Sequence, residues 1–440
     1  MKKYILGVLI FLMVATCGTG LFFINKYRSV GASLPKLLAE MEEDGVPTTA
    51  EEIAPPMPLD DENAAVILAP AFEYYQKHKA NIDADADLLS TTKAPPANHK
   101  LSKETKEYLA MSHKAFQRPK MVFERDYSDP INTLFPEFSH LKKLAKLHSL
   151  DMRLAAKEGD WARANRDIKT LVAICNRTAE ERILIGSLVS IASRAITLAA
   201  VGNLFDDAKD AKQVVSLAKY ASKNLVEMSF ENSLEYESYT CYYFGSMSKP
   251  IDVGALVGEE GSVPVIPNNG VGRIIKARML EKHLEFRKIF RENQDDLLKL
   301  RAALREYDKF FEDASPDYAL AMILSPIWDS AIEAHMKEKQ LRQVLAVAIN
   351  IHEYKFKNGK YPPVDSELIE NELYTEGKLK YVPGQGGFKL YSVGPDGIDH
   401  GGEELLSTVE EEVKQTGDVV YTFRARNSQL KYLRNYGPGK

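Results

Sequence analysis

The sequence predicts a mainly α fold: one transmembrane helix at the amino terminus, an irregular helical body of αα-hairpins, and a small carboxy-terminal α+β module. Three observations predict it. Tyr4 to Ile24 is an uncharged apolar run between Lys2-Lys3 and Lys26. Through the middle of the chain apolar residues recur at spacings of three and four, the period of a helix buried along one face. Beyond Gly359, glycines and prolines separate short runs such as Gly387 to Val393 and Asp418 to Arg424, which read as strands.

Composition bounds the rest. With 440 residues there is room for about two or three domains. An apolar fraction of 45% beside a charged fraction of 27% excludes a multi-span membrane protein. Fifty-seven basic and sixty-two acidic side chains leave a net charge of -5, without the basic field a nucleic-acid partner demands. Three cysteines, an odd number, exclude a disulfide scaffold. The organisation expected is an anchor over 1–28, an acidic and proline-bearing linker over 29–60, a helical body over 61–325, and a helix-plus-antiparallel-sheet module over 326–440.

At about 1.5 Å per residue the run from Tyr4 to Ile24 covers about 30 Å, the hydrocarbon thickness of a bilayer. It continues through Leu21-Phe22-Phe23, past the about 7 to 15 residues of a signal-peptide core, so an uncleaved anchor is read, with a cleaved signal as the alternative. Basic residues on the two sides nearly tie. The short leading tail and the long remainder favour placing the bulk of the chain outside the cytoplasm. Cys175 and Cys241 each lie in a helical pattern and are expected as buried free thiols.

Pro55, Pro56 and Pro58 argue against helix in the linker. Asp60-Asp61 then caps a helix towards Ala80, kinked at Pro70, and a polar loop carrying Asp83, Asp85 and Asp87 leads to a second helix over Ser102 to Gln117. From Pro136 the pattern makes a hairpin: Leu144, Leu147, Leu150 and Leu154, a stop at Gly159-Asp160, then Trp161, Ala164, Ile168, Leu171 and Cys175. Ile183 to Phe205 is long enough for a second span, but Arg194 at its centre would cost about 2.5 to 3.5 kcal/mol in a bilayer, so a buried core helix is expected. Helices follow over Ala208 to Met228 and Glu231 to Met247, then a long loop over Lys249 to Gly272 and one long charged helix over Arg273 to Asp313. Gly270-Val271-Gly272 lacks the preceding strand and third glycine of a dinucleotide loop. The last module opens with a helix bearing Leu341, Val344, Ala348 and Ile351, ends it at Asn358-Gly359, and places a short helix over Ser366 to Asn371 before the strands.

The run ALAVAINIHEYKFKNGKYPP, then FKLYSVGPDG, then Gly-Asp-Val-Val, resembles the globular part of major pseudopilins of type II secretion systems over Leu341 to Phe423. Together with the Asp61-Glu62-Asn63-Ala64 stretch, it also resembles uncharacterised anchored bacterial proteins. In pseudopilins the loop binds calcium. The resemblance implies calcium ligands at Asp396 and Asp418, with Asp399 as a further candidate and main-chain carbonyls supplying other oxygens. A Gly-Pro-Asp-Gly turn that only reverses the chain is the alternative. A prepilin-type amino terminus is absent and the module lies far from the anchor, so a polymerising pilin is not expected.

No HExxH, nucleophile elbow, P-loop or paired-cysteine pattern is present, and the nine histidines are scattered. The function expected is therefore that of a single-pass protein of the bacterial envelope, of structural or interaction type, with the membrane and other envelope proteins as partners. The alternative is an envelope hydrolase or carbohydrate-acting enzyme using Glu231, Glu235 or Glu237 of the acidic and aromatic helix 231–247.

Overall fold

A computed structural model describes residues 27–91, 99–130, 132–208, 210–252, 265–324, 328–384, 387–402, 406–409, 412–415, 418–424 and 429–430. The expected anchor at Tyr4 to Ile24 lies outside the described residues. The chain is mainly helical. In order, its helices are α1 (Leu34–Glu43), α2 (Ala50–Ile53), α3 (Ala65–Thr91), α4 (Lys103–Ala115), α5 (Glu137–Glu158), α6 (Trp161–Ala179), α7 (Leu184–Asp207), α8 (Ala211–Asn224), α9 (Leu234–Ser246), α10 (Gly270–Asn293), α11 (Leu297–Glu312), α12 (Ala319–Leu324) and α13 (Trp328–Asn358). The strands are β1 (Ile251–Asp252), β2 (Val265–Ile266), β3 (Lys380–Gly384), β4 (Gly387–Ser392), β5 (Leu406–Val409), β6 (Glu412–Gln415), β7 (Val419–Arg424) and β8 (Gln429–Leu430).

These elements form two compact units, each built from separate stretches of the chain, and one of the cuts between them falls at Asp329–Ser330, beside the expected boundary at 325. One unit comprises the described residues up to Ala54, Asp126–Thr133 and Leu234–Asp329; the other comprises Pro55–Arg125, Leu134–Ser233 and the described residues from Ser330 onward.

In the first unit the expected linker is folded. Leu34, Leu37, Leu38 and Met41 repeat at helical spacing along α1 and pack on Cys241, Phe244, Met279 and Leu280. Asp44 follows the helix and receives Arg287 Nε and Arg291 Nη2, both at 2.6 Å. The acidic composition that suggested a linker is thus an outer face plus the pairs that Asp44 makes with Arg287 and Arg291. Tyr236 and Tyr239 of α9 donate to the carbonyls of Pro130 and Tyr127 at 2.8 and 3.0 Å. The charged helix expected over 273–313 is two helices: Asp296 accepts from Lys299 N at 3.1 Å and caps α11, because a short acidic side chain competes with the helical ladder. Gly270-Val271-Gly272 is a helix start, with Asn269 accepting from Val271 N and Gly272 N. A Cβ on Gly272 would lie 1.8 Å from the Pro267 carbonyl oxygen, so that approach requires glycine.

In the second unit α5 and α6 form the expected hairpin. Gly159 takes φ 77° and Asp160 caps α6 by accepting from Arg163 N at 3.0 Å. The loop expected around Asp83 is helix, since α3 runs on to Thr91, and its break is at His78 (φ -119°, ψ 19°) rather than at Pro70. Asp85 is buried and receives Ser102 N at 3.0 Å and Thr105 Oγ1 at 2.7 Å, tying α3 to the start of α4, while Asp83 pairs with Lys143 of α5. The most apolar stretch of α7, Leu184–Phe205, has mean hydropathy 1.8 and is long enough to cross a membrane; 78% of it is buried inside the protein, as a core helix would be. α13 ends at Gly359, which takes φ 72°. The short helix expected at Ser366 to Asn371 is a succession of turns. Antiparallel strands follow in the order β3-β4-β7-β8, with Leu390 opposite Tyr421 and Tyr391 opposite Val420, and β5 pairs with β6 inside the acidic insert.

Candidate metal centre

Three helices of the second unit meet at a buried group of histidines. The α5 and α6 turn at Gly159 sets His148 of α5 against Asp167 of α6, and the fully buried Leu144, Leu147 and Leu150 hold that register. α4 lies across them and brings Ser112 and His113. Asp167 and His148 are wholly buried and His113 is nearly so.

Asp167 Oδ1 receives His148 Nδ1–H at 2.9 Å and lies 3.1 Å from His113 Nε2. The far nitrogen of each ring is held as well: His148 Nε2 lies 2.8 Å from Ser112 Oγ, and His113 Nδ1 lies 2.8 Å from Thr170 Oγ1. Proton counting orients the network. Asp167 only accepts, so His148 carries its proton on Nδ1 and accepts at Nε2 from Ser112. Thr170 Oγ1 lies 2.8 Å from His113 Nδ1 and 3.1 Å from the Arg166 carbonyl, and whichever of these takes its one proton sets the tautomer of His113, whose Nε2 faces the carboxylate. That nitrogen makes no aligned hydrogen bond, while the Asp151 carboxyl stands beside the Asp167 carboxylate. A buried carboxylate needs a proton or a cation on the atoms that face it, and His113 Nε2 at 3.1 Å can carry the one or leave room for the other.

Electrostatics sharpen the picture. Burial works to raise the Asp167 carboxyl, but the hydrogen bonds and charges of His113 and His148 hold it below the usual carboxylate range. Burial also lowers His148, which outweighs the pull of Asp167, so its ring is neutral. Asp151, one turn beyond His148, is pushed up to about 7 by burial and by the neighbouring Asp167 charge, with Arg163 opposing at 3.2 Å.

Two imidazoles and a carboxylate form a transition-metal donor set. The His113, His148 and Asp167 ligand atoms all lie within 4.8 Å of one another. Around a tetrahedral zinc with bonds of about 2.0 to 2.1 Å, ligand atoms stand about 3.3 Å apart, so the 2.9 and 3.1 Å contacts would open by only tenths of an ångström. Thr170 and Ser112 supply the outer hydrogen bonds that fix ligating imidazoles. His113, alone of the three, lines a pocket of about 430 Å³, together with Lys106, Lys114, Asp151, Arg163 and Arg166 among others.

Ser112, His148 and Asp167 also have the connectivity of a hydrolase triad. Ser112 is wholly buried and does not line the pocket, so its hydroxyl has no route to a substrate and serves to orient the ring.

The residues singled out in the sequence fall elsewhere. Asp396 accepts from Ile398 N and from His400 Nε2, both at 3.0 Å. Asp399 receives Gly401 N at 2.9 Å and Tyr391 Oη at 3.1 Å. Asp418 is wholly buried and takes Gly402 N at 2.7 Å and His400 N at 3.3 Å. Each carboxylate is engaged by the loop's own donors, an arrangement the chain reversal at Gly394, Gly397, Gly401 and Gly402 requires with or without a cation. Glu231 is exposed ahead of α9, while Glu235 and Glu237 are half-buried two residues apart on it and so do not share a helix face. Cys175 and Cys241 are free and buried, and burial pushes their thiols up to about 11 and about 12, away from reactivity.

Sequence reasoning missed His113, His148 and Asp167 because no two are on the same helix. The nearest signal was His148-x-x-Asp151 facing the same way as Asp167-x-x-Thr170 across the hairpin. No protein-family model matches this chain, no curated protein matches it, and no solved structure matches it.

Proposed function

We propose that this chain is a single-pass, membrane-anchored protein of the bacterial envelope, with its bulk outside the cytoplasm, whose helical body binds one divalent transition metal, zinc foremost. The observation that carries the metal is the convergence of His113 Nε2, His148 Nδ1 and the Asp167 carboxylate within 4.8 Å beside a pocket. Three protein ligands leave a fourth position for an exchangeable ligand, the arrangement of an open rather than a closed zinc site. The anchor rests on the apolar run from Tyr4 to Ile24. The antiparallel sheet that follows α13 supports a pseudopilin-like module, and envelope proteins are the partners proposed for it.

The test is metal content and affinity of the detergent-solubilised full chain. One equivalent of zinc, lost in H148A and D167N, with a cobalt derivative absorbing as a four-coordinate site, is the expected result. Substoichiometric metal indifferent to those substitutions overturns the reading. A fusion reporter active only in the cytoplasm, placed at Lys440, should stay silent; activity there overturns the topology.

A further inference from the structure

The chain enters the first unit by a stiff path. Residues 27–32 are helical, and Ser33, at φ -77° and ψ -12°, keeps the helical turn while its Oγ donates to the Val30 carbonyl at 2.7 Å. α1 begins at Leu34 and packs into the core of the unit, so helix rather than a flexible spacer joins Tyr27 to that core. The same segment lies against the start of α10: a Cβ on Gly31 would stand 3.4 Å from Ile274 Cγ1 and 3.7 Å from the Gly270 carbonyl oxygen. Ile24, where the apolar run ends, comes three residues before Tyr27. Those residues reach about 10 Å even when fully extended, and the helical turns after them add about 9 Å, so the first turn of α10 stands within about 20 Å of the end of the run.

We infer that the face of the first unit formed by Tyr27, β2 and the first turn of α10 rests on the lipid bilayer, with Tyr27, Val265 and Val271 in its interfacial layer. This rests on the anchor read at Tyr4 to Ile24 and goes beyond it, because an anchor alone leaves the body free to swing. All three side chains are exposed. Tyr27 precedes Gly31 by four residues and so shares its helix face. Gly272, beside Val271, packs on the Pro267 carbonyl and on Ile266, which fixes β2 against α10. Arg28 and Arg273 are exposed on the same segments, as is Lys249 just before β1, while Lys276 is buried and donates to the Met247 carbonyl. Asp252, opposite Val265, and Glu259 and Glu260, between β1 and β2 in sequence, offset most of that charge. Apolar contact therefore carries the docking, with the long basic side chains at headgroup depth. Three such side chains would not hold a free protein on a membrane. Tethering makes the contact intramolecular, at an effective concentration in roughly the millimolar range, where weak contacts are occupied.

The test is spin labelling of the full chain in lipid nanodiscs of phosphatidylethanolamine and phosphatidylglycerol. Cys175 and Cys241 are buried and escape the label, so C17S supplies the background for V265C, V271C and L298C. Leu298 is the control, because it is exposed beyond the other end of α10, a helix of 24 residues and about 36 Å. Labels at 265 and 271 should favour collision with oxygen over a water-soluble nickel chelate by about threefold or more relative to 298, the signature of interfacial depth. V265D should raise nickel collisions of the label at 271 about twofold with the melting temperature unchanged, a split that misfolding would not produce. Equal ratios at 271 and 298 in a chain that stays with the discs overturn this inference and leave the anchor standing. Shielding of 271 from oxygen and nickel alike marks a protein partner and overturns the bilayer as occupant. A chain that remains soluble without lipid or detergent overturns the anchor first, and this inference with it.

Discussion

The second unit contains two buried polar clusters of similar depth and opposite character. At His113, His148 and Asp167 the far nitrogen of each ring is held by a hydroxyl, both rings meet one carboxylate oxygen, and His113 lines a pocket. At Arg194 and Glu338, on α7 and α13, the groups are also buried, but they are poorly matched. Arg194 Nη1 donates to the Val226 carbonyl at 2.7 Å and Nε to Ser190 Oγ at 3.2 Å, while Nη2 finds no acceptor. Neither Glu338 oxygen meets a donor within hydrogen-bond reach; Arg342 Nε and His335 Nδ1 stand 4.0 Å away. Burial consequently raises the Glu338 carboxyl although Arg194 and Arg342 oppose it. Burial of ionisable groups therefore does not make a site. What distinguishes the first cluster is two imidazoles brought to one carboxylate oxygen from three helices, with one of the rings lining a pocket.

The largest effect should come from breaking the second cluster. R194M leaves Glu338 buried without its main counter-charge and should cost about 3 to 5 kcal/mol in denaturant unfolding, whereas R194M/E338M should recover most of that loss. A single-variant cost under about 1 kcal/mol would show the two charges to be independent. H148A comes next. It removes a ligand and strips Asp167 of a hydrogen bond, and should abolish stoichiometric zinc binding and remove the zinc-dependent rise in melting temperature. In the shell around the site, T170V and S112A should each weaken zinc by about 10- to 100-fold with little change in the melting of the zinc-free protein. An equal loss of both would make these hydroxyls merely structural.

The smallest effect is a pH slope. Burial lowers His283 to about 3, His335 to about 4 and His352 to about 3. With the ordinary histidine value of 6.5 in the unfolded chain, the unfolded state binds more protons, so their stabilisation is complete above about pH 6.5 and is lost as pH falls towards 4. Asp151 acts in the opposite sense. Its folded value of about 7 exceeds the ordinary 3.8, so its share of stability is full below about pH 4 and is lost as pH rises to 7. Denaturation midpoints of the zinc-free protein should therefore fall on acidification from pH 6.5 to 4, and D151N should steepen that fall. A flatter slope in D151N would contradict the assignment of the raised carboxyl.

The helices that present the site were legible before any fold was seen. Leu144, Leu147, Leu150 and Leu154, the Gly159-Asp160 stop and the run from Trp161 to Cys175 reproduce α5 and α6 nearly to the residue, because capping and one-sided burial are local properties. The segment before Ala54 was misread for the converse reason: its prolines and acids describe a linker, while Leu34, Leu37, Leu38 and Met41 are helical only once a core receives them. The Asp83 segment failed similarly, since Ser102 and Thr105 of another element satisfy Asp85.

By itself, then, the sequence determined a mainly helical chain, a hairpin with its turn, a core helix bearing a buried arginine, and an apolar run long enough to cross a bilayer. Only the tertiary structure decided where chemistry can occur. His113, His148 and Asp167 are separated by tens of residues and carry no local pattern. Their side chains meet because three helices pack in one register, and packing of that kind is a sum over distant contacts that no window of sequence contains.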